Sequence, residues 1–295
     1  MRFPGWVDQH LAALRALLVL SVLLGVAYPL AVTAVAQLPG LKDRADGSLV
    51  TAGGRTVGSS LVGQSFTGGN GEALPQYLQS RPSGAGDGYD PTATGASNLG
   101  PENVVDTLPD PSVKDDAGTH GLLSQVCARS ASIGSLEHVD GDRPYCTSDG
   151  VGAVLAVFHR GGLTGPVTRV VSLNQACPAT PFVTSWQGVR VECATFGQDY
   201  GKGLVTPVRG NAPITPAVPA DAVTASGSGL DPDISPAYAH LQAPRIARAR
   251  GVAVADVQAV VDANTAGRAL GFLGEPAVNV LKVNLDLDRR YPYRA

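Results

Sequence analysis

The chain has 295 residues, with 22 Lys+Arg against 25 Asp+Glu and a formal net charge of −3. So mild an acidic balance is not built to neutralise a phosphate backbone, and no nucleic-acid partner is expected. With 44% hydrophobic residues the chain is too apolar to be disordered throughout, and 36 Gly with 22 Pro point to turns and long loops rather than a helical bundle.

Residues 16–38, ALLVLSVLLGVAYPLAVTAVAQL, carry no charge. As a helix they would span roughly 35 Å, enough to cross a hydrocarbon core of about 30 Å. Pro29 is expected to kink such a helix, which lipid tolerates better than water. The length favours a retained anchor; Ala34-Val35-Ala36 before Gln37 also resembles a signal cleavage site. Arg2 and Arg15 precede the segment while Lys42 and Arg44 follow it, so flanking positive charge gives no orientation.

The cysteines give one. Cys127, Cys146, Cys177 and Cys193 all follow the apolar segment, and an even number in a Gly-rich stretch predicts two disulfides in an oxidising compartment. The three pairings stay open. Zinc is the rival use, but there is no C-x-x-C and the five His are scattered. The expected topology is residues 1–15 in the cytoplasm, 16–38 in the lipid bilayer and the remainder outside.

Beyond the membrane, residues 58–66 (GSSLVGQSF) are predicted as a strand, and 77–101 as a loop built from turn residues, with Gly84, Gly86 and Gly88 at its tip. Residues 102–216 hold all four cysteines and the apolar runs 153–158, 169–173 and 182–194, the last with a turn at Gln187-Gly188. They are predicted to form a β-rich inserted unit that ends in a Pro-rich link, 207–219. In the closing part, Ser235-Pro236 predicts a helix start. Pro244 is expected to break that helix, and Gly251 to end the next. Val257, Val260, Val261 and Asn264 share one helical face, with Gly267 as a stop. Leu281, Val283, Leu285 and Leu287 alternate with polar residues, which predicts a half-buried strand over 281–288.

Chemistry is sparse. The chain lacks G-x-S-x-G, a phosphate-binding P-loop, H-E-x-x-H and S-x-x-K. Ser228 lies between glycines without a neighbouring base, Asp231-Pro232-Asp233 reads as a turn before a helix, and Asp286 with Asp288 reads as solvated charge. No catalytic residue and no metal site is expected. Arg245, Arg248 and Arg250 crowd one helix end, where they either complement its dipole or meet an acidic partner surface.

The runs 28–38 (YPLAVTAVAQL), 58–66, 80–101 (SRPSGAGDGYDPTATGASNLGP), 226–251 (SGSGLDPDISPAYAHLQAPRIARARG) and 267–288 (GRALGFLGEPAVNVLKVNLDLD), in this order, resemble the KdpC subunit of the bacterial Kdp potassium-transporting P-type ATPase. The resemblance covers about 28–101 and 217–288. It implies an α+β protein with a single N-terminal transmembrane helix in the bacterial cell membrane. A mixed α/β extracytoplasmic domain follows in two parts, 39–101 and 217–295, around the insertion 102–216. It further implies a non-catalytic subunit of high-affinity potassium uptake. Its partners would be a channel-like potassium-binding subunit, an ATP-hydrolysing subunit and a small single-helix peptide. Potassium is then the transported ion, and no cofactor is held firmly. The resemblance also implies a catalytic chaperone that raises ATP affinity, with a nucleotide contact carried over to Ser226, Gly227, Ser228, Gly229 and Gln242. Family members have a short charged link where this chain has 102–216. The insertion is therefore expected to be a disulfide-braced elaboration facing away from the channel-like subunit, dispensable for assembly. The alternative is a membrane-anchored or secreted extracellular ligand-binding protein.

Overall fold

The structure is a computed structural model and describes residues 4–95 and 99–294. Arg2 of the flanking charges and residues 96–98 of the Gly-rich loop lie outside the described residues. The chain divides into two compact units, residues 1–61 and 62–295.

In the first unit a helical run of 32 residues, Gly5–Ala36, has a mean hydropathy of 2.3 and none of its apolar window buried. It consists of α1 (Gly5–Val22), a π-turn (Leu23–Ala27) and α2 (Tyr28–Ala36). The π-turn falls where Pro29 demands it. Proline offers no N–H and its ring crowds the carbonyl one turn back; widening that turn, with Tyr28 N–H donating to the Leu23 carbonyl, absorbs the conflict. A short α3 (Lys42–Ala45) and the hairpin β1 (Leu49–Ala52) and β2 (Arg55–Ser59) complete the unit. Of the strand expected over 58–66, only Gly58 and Ser59 are in one. From Gly63 the chain instead follows another loop, its N–H donating to the Leu230 carbonyl at 2.8 Å.

The second unit has two cores. One surrounds α6 (Pro236–Arg250), α7 (Val254–Ala263) and α8 (Val280–Arg290), with Ile246, Val257, Val260, Val261, Val283 and Leu287 packed together. The short α5 (Ala220–Val223) and a small sheet ordered β8 (Asp233–Ile234), β10 (Ala277–Asn279), β9 (Thr265–Ala266) close it. Ser235 caps α6 by accepting from Tyr238 N–H, and Gly251 ends it at φ +68°. Pro244 does not break it. The proline is exposed and His240, whose carbonyl loses the Pro244 N–H as a donor, is only half-buried, so the helix runs through the missing bond to Arg250. The α7 helix closes at Ala263, before Gly267, and keeps Val257, Val260 and Val261 buried.

Residues 281–288 are helical, not a strand. The buried positions of α8 are Val280, Leu281, Val283, Asn284 and Leu287, a helical stripe, and Asn279 caps it by accepting from Lys282 N–H.

The other core lies within 102–216. A five-stranded sheet has the order β5 (Ser185–Trp186), β6 (Val189–Ala194), β4 (Val167–Ala176), β3 (Val154–His159), β7 (Leu204–Pro207). The β4–β6 pair is parallel and the others antiparallel, with Gln187-Gly188 turning the β5–β6 hairpin. Val154 and Ala156 pack on one face, Leu155 and Val157 on the other, which is why 153–158 reads as an unbroken apolar run. The disulfides join sequential cysteines, Cys127–Cys146 and Cys177–Cys193.

The segment also contains a helix that strand patterning missed, α4 (Leu122–Glu137). It serves both cores, with Leu123 on the sheet and Val126 and Ile133 against the helical core. Arg129 Nη1 donates to the Val223 carbonyl at 3.0 Å, and the Pro-rich link delivers Val218 into the helical core. The insertion is built into the fold, so removing 102–216 whole would also strip the helical core. Cutting Cys127–Cys146, which pins α4, is expected to cost about 3 kcal/mol through loop entropy. A Cys127→Ser/Cys146→Ser chain in detergent should lose that much in urea unfolding, and added reductant should lower wild type but leave the Cys127–Cys146 part of the variant unaffected.

Candidate functional site

Residues 74–81, LPQYLQSR, make a turn over 74–77, with Tyr77 N–H donating to the Leu74 carbonyl at 3.1 Å, and then pass between α6 and α8 without a strand partner, yet Leu78 is fully buried. Buried backbone needs hydrogen bonds, and here side chains supply them. Gln242 of α6 accepts from Gln79 N–H at 2.7 Å through Oε1 and donates to the Gln79 carbonyl at 3.1 Å through Nε2. Asn284 of α8 does the same for Leu78, accepting at 2.8 Å and donating at 3.0 Å. Each amide thus imitates one rung of a β-ladder.

Two arginines complete the clamp. Arg245 Nη1 donates to the carbonyls of Pro75 at 2.7 Å and Tyr77 at 3.0 Å, Nη2 to Gln242 Oε1 at 2.8 Å, and Nε to Glu137 Oε1 at 2.9 Å. Arg250 Nε donates to the Gln76 carbonyl at 2.9 Å and Nη2 to Asp288 Oδ1 at 2.8 Å, with its guanidinium 5.3 Å from the Tyr77 ring centroid. Arg245 and Arg250 therefore point inward, neither idling at a helix end nor facing a partner; the carbonyls of the clamped segment are what need them. Arg248 alone of the three is exposed. Burial pushes the Glu137 carboxyl above the usual range, with Arg245 pulling against it.

The 226–232 turn packs on the Gly-rich loop. Ser226 N–H donates to the Pro82 carbonyl at 2.8 Å, and Ser83 Oγ donates to the Gly229 carbonyl at 2.7 Å while accepting from Tyr89 N–H at 2.9 Å. Buried Ser226 Oγ accepts from Gly229 N–H at 3.0 Å and Asp231 N–H at 3.2 Å. Arg81 Nη1 pairs with Asp231 Oδ2 at 3.0 Å. The close approach requires glycine twice. A Cβ on Gly229, at φ +76°, would stand 2.5 Å from Ala85 Cβ, and one on Gly63 2.4 Å from the Asp231 carbonyl oxygen. Gly227 and Ser228 remain on the exposed rim, Ser228 Oγ donating to Asp231 Oδ1 at 3.2 Å.

Sequence reasoning read a turn at 231–233 from its residues, singled out Ser226–Gly229 and Gln242 as a site through resemblance alone, and missed Gln79, Arg81, Tyr89, Glu137 and Asn284. The buried amides could have been suspected from Asn284 interrupting the apolar stripe of α8.

As a nucleotide cradle these residues fit poorly. Gln242 has no exposed surface and both its amide atoms are engaged. The N–H groups of Gly229 and Asp231 turn inward to Ser226 rather than outward to a phosphate. Nor do the described residues gather three or more His, Cys, Asp or Glu that could hold a metal ion.

The family described as KdpC, K+-transporting ATPase, c chain, matches residues 10–108 and 203–289. Among curated relatives, the potassium-transporting ATPase KdpC subunit of Beijerinckia indica is 37% identical over 285 residues, 96% of this chain and 95% of that protein. The KdpC subunit of Caulobacter sp. strain K31 is 37% identical over 273 residues, 92% and 89% of the two chains. That of Mycobacterium tuberculosis is 34% identical over 281 residues, 95% and 98%. These alignments run through the segment between the two family blocks, so the insertion is shared with such relatives. The chain belongs to the KdpC family, the c chain of the K+-transporting ATPase.

Proposed function

We propose that this chain is a non-catalytic accessory subunit of an ATP-driven potassium uptake complex. It is held in the bilayer by Gly5–Ala36, with its N-terminus in the cytoplasm and residues 39–295 outside. It stabilises assembly of the channel-like, ATP-hydrolysing and single-helix subunits. Any gain in ATP affinity is passed to the ATP-hydrolysing subunit through subunit contacts, as a coupling between separate sites. The observation that carries this reading is the complete engagement of Gln242 inside the fold, which leaves the motif bracing the protein rather than binding a nucleotide. Two disulfides support the outward orientation, since such bonds persist in oxidising compartments.

The test is a mild-detergent pull-down of the tagged full chain followed by photolabelling with an azido-ATP. The expected result is recovery of the other ATPase subunits, with label on the ATP-hydrolysing subunit and none on this chain. Protease added to intact spheroplasts should digest the domain. Label on residues 226–242, or protection of the domain in spheroplasts, would refute the assignment.

A further inference from the structure

The two disulfides sit in different surroundings. Cys127 is 2% exposed on α4, the helix that serves both cores, so its bond to Cys146 is shielded from reagents in solution. Cys177 follows β4 and is exposed, while its partner Cys193 on β6 is half-buried. Both line a groove of about 690 Å³ whose charged side chains are Arg169, Arg190 and Glu192. Arg169 is matched by Glu192, with Nη2 donating to Oε2 at 2.8 Å, so Arg190 leaves the groove net positive. Thr195, also on the groove, donates its Oγ1 hydroxyl to Cys177 Sγ at 3.8 Å. The backbone at this place does not depend on the sulfur bond. Cys177 N–H donates to the Ala194 carbonyl at 2.8 Å, and β4 and β6 are paired as a parallel ladder.

We infer that Cys177–Cys193 is a thiol–disulfide exchange site for a dithiol reductant, and that Cys127–Cys146 is the fixed staple. Exposed disulfides are the labile ones, and exchange is faster when the leaving sulfur is the better-stabilised thiolate. Cys177 is that leaving sulfur, because the Thr195 hydroxyl and water both reach its charge. Attack therefore falls on Cys193 Sγ. Arg190 draws in the attacking group, since a nearby cation favours thiolate over thiol. In the first step a thiolate of the reductant bonds to Cys193 Sγ, the Cys193–Cys177 bond breaks, and its electron pair leaves on Cys177 Sγ, which takes a proton from water. In the second, the reductant's other thiol gives up its proton and attacks the reductant's own sulfur in the mixed disulfide, expelling Cys193 as a thiolate. The dithiol leaves as a disulfide, oxidised by two electrons, and the two cysteines are reduced by two. The β4–β6 ladder then holds both sulfurs near each other for re-oxidation.

The experiment treats the folded full chain in detergent with dithiothreitol, or with reduced glutathione to trap the mixed disulfide. Samples are quenched in acid, the freed thiols are alkylated, and peptide mass mapping follows each bond with time. Cys177–Cys193 is expected to open at least about tenfold faster than Cys127–Cys146, with glutathione carried on Cys193. The two bonds opening together, Cys127–Cys146 opening first, or glutathione carried on Cys177 would each overturn the inference. Thr195→Val keeps the shape of the side chain and removes the hydroxyl, and it should slow opening of Cys177–Cys193 about threefold while the Cys127–Cys146 rate stays as in wild type. A variant that slows neither bond, or changes both equally as general loosening of the fold would, counts against it. The readout uses this chain alone, so its failure leaves the accessory role standing.

Discussion

Replacing Arg245 with Ala is expected to destabilise the full chain by about 3–5 kcal/mol, the usual cost of removing one partner from a buried ion pair. Arg245 and Glu137 side chains are 5% and 1% exposed. The guanidinium also serves the Pro75 and Tyr77 carbonyls and Gln242 Oε1. Ala would leave a buried carboxylate and two buried carbonyls short of donors. Lys should rescue little, since one compact ammonium cannot reach four acceptors spread across a planar fork. Ala at exposed Arg248 should stay within about 0.5 kcal/mol. The deficit should depend on pH with a definite sign. Burial already raises the folded-state pKa of Glu137, and losing Arg245 raises it further. A raised folded pKa means the penalty of ionising Glu137 is absent below the unfolded pKa, about 4.3, and grows as pH rises through the folded value. Urea unfolding in detergent should therefore show the gap between Arg245→Ala and wild type narrowing as pH falls from 7 toward 5. A gap that widened would show that Glu137 does not carry the effect.

This pair also shows where the fold was legible and where it was not. Local signals wrote themselves plainly. Ser235, Pro236 and Gly251 bound α6 by backbone chemistry that needs only neighbouring residues, and Gln187-Gly188 turns its hairpin for the same reason. The sheet of the insertion showed through 153–158 because a strand buried on both faces must be apolar throughout. Reading 281–288 as a strand failed because Asn284 occupies a core position of α8. A polar residue on the buried stripe disguised the helical period as a period of two, and Val280, out of phase with the strand, belonged to the helix. The reason for Asn284 lies some two hundred residues away, at Leu78, and no local pattern encodes it. The same holds for Arg245, Arg250 and Glu137, whose partners are brought together only by the fold. The site was legible as a motif and illegible as a mechanism: 226–232 could be matched to a family, but its burial against 82–89 could not be foreseen.

Gln242→Ala offers the sharpest division between a nucleotide-contacting residue and a bracing one. If Gln242 braces, Ala removes an acceptor from Gln79 N–H, a donor from the Gln79 carbonyl and an acceptor from Arg245, all out of reach of water. Unsatisfied buried groups cost about 1–3 kcal/mol each, so a loss of about 3–5 kcal/mol is expected. Asn284→Ala should lose somewhat less, because its bracket on Leu78 has two bonds rather than three. Leu78 and Gln79 are adjacent on one clamped segment, and once either bracket is gone the segment has already loosened. The double variant should therefore fall short of the sum of the two by about 0.5–3 kcal/mol, the coupling usual for residues in one network. Ser228→Ala, on the exposed rim of the same motif, should change stability by less than about 1 kcal/mol. Thermal and urea unfolding of the full chain in detergent measure all four. If Gln242→Ala unfolds like wild type while the assembled ATPase needs more ATP, the amide is a ligand contact. If the midpoint drops as expected and ATP affinity falls only in step with the loss of intact complex, its work is to hold residues 74–81 in place.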